Sequence, residues 1–276
     1  MAELMTARIA AIVFACALLA SARAQDAPPW KDIAYTSGGL RIQAYLYKPD
    51  GEGPFPAVIY NHGSREGYER ASRPFEYIGR MLAGAGYVVL VPERRGYGSS
   101  DGATWSEEVG RDQGKRFVER LERETDDVIA ARDYLRGLPF VDAKRIGVMG
   151  WSLGGIVTMF AAARGDGFAA AVNQAGGALS WNANRSLQLA LRAAAEKSST
   201  PTLLLVADND RTTASITTLT NILERRGVPH RQVIYEPFHP SRETRTAPGH
   251  AIFSSEGVSR WQGDVREFLA RHLMAP

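Results

Sequence analysis

The run Gly150-Trp151-Ser152-Leu153-Gly154-Gly155 constrains this chain more than any other feature. Arg145-Ile146-Gly147-Val148-Met149 before it reads as a short buried strand, and Ile156 to Ala163 after it reads as a helix free of proline. A serine between glycines at such a junction predicts a strained strand-to-helix turn that pushes its hydroxyl outward. The glycines are needed because the turn occupies an unfavourable backbone region where neighbouring side chains would collide. Serine is also a common helix N-cap, so the meaning of the turn rests on what the rest of the chain supplies.

The first stretch reads differently from the remainder. Arg8 is followed by an uncharged apolar run from Ile9 to Ala20, then by Ala22-Arg23-Ala24 before Gln25. That layout predicts a secretory signal peptide over residues 1–24, with an apolar run too short to span a bilayer. The product is then expected to be exported, periplasmic or secreted, without stable membrane association. Cys16 is the only cysteine, so the chain from Gln25 onward has no disulfide and must be held by its core. Removing 24 of the 276 residues leaves 252, enough for a single α/β domain over 25–276. Removing Glu3, Arg8 and Arg23 takes the formal net charge from +3 to +2, which gives no electrostatic case for nucleic acid.

Beyond Gln25 to Trp30, which reads as a tether, Ile33 to Thr36 and Leu40 to Lys48 predict two antiparallel strands joined at Gly38-Gly39. From Phe55 the pattern changes to short apolar runs, the mark of strands buried on both faces. Strands are predicted at Ala57 to Tyr60, Tyr87 to Val91, Arg145 to Met149, Ala169 to Asn173, Thr202 to Ala207 and Arg231 to Tyr235. Helices alternate with them at Pro74 to Ala85, Glu122 to Arg136, Leu153 to Ala163, Leu187 to Lys197, Ser215 to Arg226 and Val258 to His272. That alternation predicts an α/β fold, a mostly parallel central sheet with helices on both faces. The charge-dense stretch from Thr104 to Arg120 interrupts it and is expected to present a solvated face, either in a longer helix or as a small insertion.

A serine hydroxyl is a weak nucleophile at neutral pH. It needs a base within hydrogen-bond reach, and the base needs an acid to fix its tautomer. In open α/β sheets such groups come from the carboxyl ends of strands. Asp210 follows the apolar run Leu203 to Ala207 and is the favoured acid, with Asp208 as a competitor that would serve the turn. Four histidines follow: His230, His239, His250 and His272. His230 precedes the last strand, at the wrong end of the sheet, and His272 sits near the terminus. His250 in Gly249-His250-Ala251 is favoured over His239, because the glycine lets its loop approach closely. An oxyanion would be held by the N–H of Leu153 and that of Ser64, in the loop Asn61-His62-Gly63-Ser64. His62 is expected to brace that loop.

Asn61-His62-Gly63, the run Arg95-Gly96-Tyr97-Gly98-Ser99-Ser100-Asp101-Gly102, the Ser152 turn, Asp210 and Gly249-His250 occur in this order. In this the chain resembles the α/β-hydrolase superfamily, and within it the dienelactone hydrolase family, which shades into the prolyl oligopeptidase-type catalytic domains. The resemblance implies the α/β-hydrolase fold and a serine hydrolase, carboxylesterase-like, cleaving small-molecule esters through an acyl-enzyme, with no metal or organic cofactor. Dienelactone hydrolases proper use a cysteine nucleophile where this chain has Ser152. A peptidase or amidase with the same triad, and a binding protein that keeps the fold without the activity, are the rival readings. The aspartate common ahead of Arg-Gly-Tyr-Gly is Glu93 here, a change expected to matter little. Arg95 is expected to tie its loop together, Arg65 to be an exposed loop arginine, Trp151 to be buried packing, and Trp181 to be a candidate pocket residue.

Overall fold

The protein is described here from a computed structural model over residues 28–112, 114–165 and 167–274. The expected signal stretch and Cys16 lie outside the described residues. Strands β1 (Lys31–Ser37) and β2 (Leu40–Tyr47) form the antiparallel hairpin, with Gly38 and Gly39 both at positive φ in its two-residue turn. Such turns match the right-handed twist of the strands and favour glycine for that reason. The remaining strands are β3 (Phe55–Asn61), β4 (Val88–Pro92), β5 (Val141–Trp151), β6 (Ala170–Gln174), β7 (Thr202–Ala207) and β8 (His230–Tyr235). The sheet order is β1-β2-β4-β3-β5-β6-β7-β8, and every pairing from β4 to β8 is parallel. Strands β4, β6 and β7 are buried along their whole length, as their unbroken apolar character requires.

The helices are α1 (Glu76–Ala83), α2 (Trp105–Glu108), α3 (Lys115–Arg136), α4 (Leu153–Ala162), α5 (Arg185–Lys197), α6 (Ala214–Arg225) and α7 (Val258–Leu269). Helices α3 to α6 pack together on one face of the sheet. The other face carries α1 and α7, and the Tyr77 hydroxyl on α1 donates to the carbonyl of Phe253, in the loop before α7, at 2.9 Å. Every residue of α4 is buried, as expected for a helix that is apolar all round.

Chain order reverses between β3 and β5, because β3 is followed outward by β4 while β5 leads inward to β6. Ligands of open α/β sheets bind outside the carboxyl ends of the strands at such a switch point. Here those ends are Asn61 and Gly150, paired in register, so the loop 62–64 and the Ser152 turn are neighbours.

The segment from Thr104 to Arg120 turns Glu107, Arg111, Lys115 and Arg116 to solvent, as expected, and buries an apolar face beneath them. Thr104 caps α2 through a capping box with Glu107, and the first turns of α3 follow. Trp105, Val109, Phe117, Val118 and Arg120 are all buried. The buried charge is tolerated because it is paired. Arg120 donates to both Glu108 and Glu124, and its guanidinium also reaches the Arg95 and Ala103 carbonyls.

Glu124 is shared. Its second oxygen accepts from Arg94 Nε at 2.7 Å, and Arg94 Nη2 reaches the His62 carbonyl at 2.9 Å. Arg94, Arg120 and Glu124 are completely buried. Breaking such a cluster from one side strands the other charges in a low-dielectric interior. Glu124→Ala is therefore expected to cost about 3–5 kcal/mol, read as a lowered midpoint in denaturant unfolding. A loss below about 1 kcal/mol would mean the cluster is hydrated.

Candidate active site

The strained turn is present. Ser152 takes φ 58 and ψ −118, and its N–H is held by the Gln174 carbonyl at 2.9 Å. The need for glycine at Gly154 is steric. A Cβ there would lie 2.0 Å from the Asn61 carbonyl oxygen, so only a bare backbone lets α4 start this close to β3. Gly63 is also close, less tightly, since its Cβ would lie 3.2 Å from that of Ser152.

Asp210 and His250 are brought together. His250 stands in a 3-10 turn, Pro248–Phe253, after β8, and its Nδ1 lies 2.7 Å from Asp210 Oδ2. Both residues are buried. The second Asp210 oxygen accepts from the Arg211 N–H at 2.7 Å. Gly249 is required here as well, because its Cβ would lie 2.6 Å from the Asp210 amide nitrogen. The Asn209 side chain clamps the backbone of Phe238 with two hydrogen bonds of 2.9 Å, joining the loops after β7 and β8. The Trp151 ring lies against His250, with centroids 5.6 Å apart. His250 Nε2 is buried and has no hydrogen-bond partner among the described residues. Bonds of this kind often form only with substrate in place.

Ser64 is exposed, and neither its N–H nor that of Leu153 bonds to a backbone carbonyl among the described residues. His62 is buried beside them, flanked by the rings of Phe75 and Tyr97. Its Nδ1–H donates to the Gly63 carbonyl at 2.8 Å. Burial, followed by the charges of Arg94 and Arg65, pushes its pKa well below the usual 6.5, so the ring is neutral and braces the loop.

Several expectations are corrected. Arg65 is buried, not exposed: it donates to both oxygens of Glu93 and lies over the Tyr97 ring. The Glu93 carboxylate is engaged further, because it also accepts from the Tyr45 hydroxyl and the Arg73 N–H. Arg95 does tie its loop, through three contacts to the Asp127 carboxylate. Trp151 is only half-buried. It lines a cleft of about 680 Å³ with Arg73, Phe75, Tyr77, Ser254 and Ser255. Trp181 is buried in a short 3-10 turn and is not among the residues that line this cleft. Asp208 and His239 are exposed. The cleft wall at 71–77 was missed in the sequence. Its signal was Phe75-Glu76-Tyr77, where aromatics sit on both sides of a charge at a helix start.

Among the described residues no cluster of three or more His, Cys, Asp or Glu is placed to hold a metal, and no helix is long and apolar enough to cross a membrane.

The mostly parallel eight-stranded sheet, with its strained serine turn at the switch point, defines an α/β-hydrolase fold. Residues 42–246 match the Dienelactone hydrolase family, and the chain belongs to it. His250 lies just beyond the matched residues. Over 144 residues, 51% of the chain, it is 30% identical to 20% of dipeptidyl-peptidase 5 of Porphyromonas gingivalis. Over 143 residues, 52% of the chain, it is 29% identical to 42% of the quorum-quenching protein AidA of Acinetobacter baumannii. The chain thus spans less than half the length of these relatives. Among solved structures it is similar to the acylaminoacyl peptidase of Pyrococcus horikoshii, with TM-score 0.67, 20% identity, and coverage of 88% of this chain and 41% of that one. It is similar also to the Pyrococcus furiosus esterase Pf2001, with TM-score 0.63, 18% identity, and coverage of 88% and 91%.

The depressed His62 pKa has a consequence for stability. In the unfolded chain this histidine takes up a proton near pH 6.5, while in the folded protein it stays neutral to lower pH. Its contribution is therefore present above about pH 6.5 and is lost as pH falls from there toward the folded pKa. Unfolding curves of the wild type and His62→Asn are expected to converge below pH 6.5 by up to about 1.4 kcal/mol per pH unit. Parallel profiles would show that His62 binds protons equally in both states.

Proposed function

We propose that the protein is a serine hydrolase of carboxylic esters. The observation that carries this reading is the 2.7 Å Asp210–His250 pair, which leaves Nε2 unbonded beside the strand end that bears the strained Ser152. In this reading Asp210 accepts the Nδ1 proton and fixes the tautomer, so that Nε2 takes the proton of Ser152 Oγ as it attacks the carbonyl. The N–H groups of Ser64 and Leu153 receive the oxyanion. The imidazolium then gives its proton to the leaving alcohol, and water attacks the acyl-enzyme with His250 again acting as base.

The likeness to the Pyrococcus furiosus esterase supports esters as the substrate class, and the likeness to the acylaminoacyl peptidase keeps peptides as the alternative. The aromatic cleft beside Trp151 suits one side of a small ester. Ser152→Ala is expected to lower turnover of p-nitrophenyl esters by about 10⁴-fold or more and to abolish fluorophosphonate labelling. Faster cleavage of aminoacyl or prolyl anilides than of esters would turn the assignment to a peptidase. A folded wild type that does not label would leave a binding protein.

We also propose export, on the apolar run Ile9 to Ala20 and the Ala22-Arg23-Ala24 pattern. Mass spectrometry of the protein purified from a Gram-negative host is expected to give a mature chain that starts at Gln25. An intact Met1 in the cytoplasmic fraction would refute it.

A further inference from the structure

The sequence ends β6 in two amides, Asn173-Gln174, after three apolar residues. They point to opposite faces, as successive strand residues must. Asn173 faces α4: its Oδ1 accepts from the Gly176 N–H at 2.7 Å and lies against the space a Cβ on Gly155 would fill. Gln174 therefore faces the other side, that of α1 and α7. It pairs in register with Trp151 on β5, so the two side chains share that face. Trp151 is the residue whose ring lies against His250. Gln174 thus lies in the sheet between β5 and β7, on the face that carries Trp151 and, against its ring, His250.

The Gln174 side chain is completely buried, and neither its oxygen nor its nitrogen has a hydrogen-bond partner among the described residues. An unpaired buried amide costs about 1–3 kcal/mol, and a leucine of similar size, like its register neighbour Leu205, would avoid that cost. A costly polar group next to a site is explained when it meets charge that appears during the reaction.

We propose that Gln174 is a positioning residue of this site, whose carboxamide turns its oxygen toward the His250 edge of the Trp151–His250 pair and stabilises the ring while it carries the serine proton. The inference rests on the reading of His250 as the base. The carboxamide dipole acts together with the Asp210 carboxylate and only while the imidazolium exists, so it favours the charged intermediate over the resting enzyme. The elements packed about the His250 turn carry Asp208, Asp210 and Arg211 after β7, Glu256 in the turn before α7, Asp264 on α7, Arg73 before α1, and Glu76 and Tyr77 at its start. Of these Asp210 bonds the ring, Glu76 is paired with Arg80, and Asp264 is engaged by Arg231 and Tyr235.

The test is the second-order rate of fluorophosphonate labelling of the full chain from about pH 5 to about pH 9, for wild type, Gln174→Leu and Gln174→Glu, with thermal unfolding alongside. This readout needs no knowledge of the natural substrate. Gln174→Leu is expected to unfold at the same or a higher temperature yet label about five- to twenty-fold more slowly, with the acidic limb moved down by about half a pH unit. Gln174→Glu keeps the shape, adds a negative charge under the ring, and is expected to move that limb up by about one unit. Wild-type rate in Gln174→Leu, or an unmoved limb in Gln174→Glu, overturns the proposal while leaving the hydrolase reading intact. Absence of labelling in the wild type overturns both.

Discussion

The site depends on one close approach, the contact of α4's first turn with the end of β3. Gly154 sits where a single methyl group would overlap the Asn61 carbonyl. That contact sets the distance between the Ser152 turn and the 62–64 loop, and with it the space between the Leu153 and Ser64 amides. Gly63, packed against the Ser152 Cβ, closes the same gap from the other side. The strain stored at φ 58 is held by this packing and by the β6 carbonyl on the Ser152 amide.

Such a contact is useful only if the β3 loop is itself rigid, and a loop of glycine and polar residues has little apolar surface to hold it. The fold solves this with charge. Arg94 anchors the His62 carbonyl from below, while Arg65 and Glu93 fix the chain beyond Ser64. Buried ion pairs are a weak source of stability relative to packed hydrocarbon. Their value here is directional: guanidinium forks bind several carbonyls and carboxylates at fixed angles. His62 completes the arrangement because it is neutral, and so adds no further cation between Arg65 and Arg94.

The groups that chemistry requires were the most legible in the sequence. A strained serine turn demands glycines at fixed spacing, and the buried strands announce themselves as short apolar runs, so Ser152, Asp210 and His250 can be placed at strand ends without coordinates. The supporting network was not legible. Nothing in the local pattern separates Arg65 on a surface loop from Arg65 buried against Glu93, since the partner is 28 residues away. The pairing of Arg120 is hidden for the same reason. Charge density from Thr104 to Arg120 suggests solvent, which holds for Glu107, Arg111, Lys115 and Arg116, but Arg120 is buried and neutralised by Glu124 one turn on, by Glu108 and by distant carbonyls. Trp151 and Trp181 exchanged roles because exposure depends on what lies opposite, and periodicity carries no information about that.

The two faces of the sheet divide the work. On one face α4, fully buried and clasped by α3 and α5, supplies the fixed frame of the serine turn, and small residues there leave no freedom to vary. On the other face the cleft is walled by chain outside that frame: residues 71–77 before and within α1, and Ser254-Ser255 before α7. Tyr77 bonds the Phe253 carbonyl at the end of the His250 turn, so the cleft wall is tied to the segment carrying His250, the base in the proposed reading. Changes of substrate preference are therefore expected to arise on the α1 side, where side chains can be exchanged without disturbing the contact between α4 and β3. Any exchange that loosens Tyr77 would alter the position of His250 as well, so in the proposed reading specificity and proton transfer are coupled through that hydroxyl.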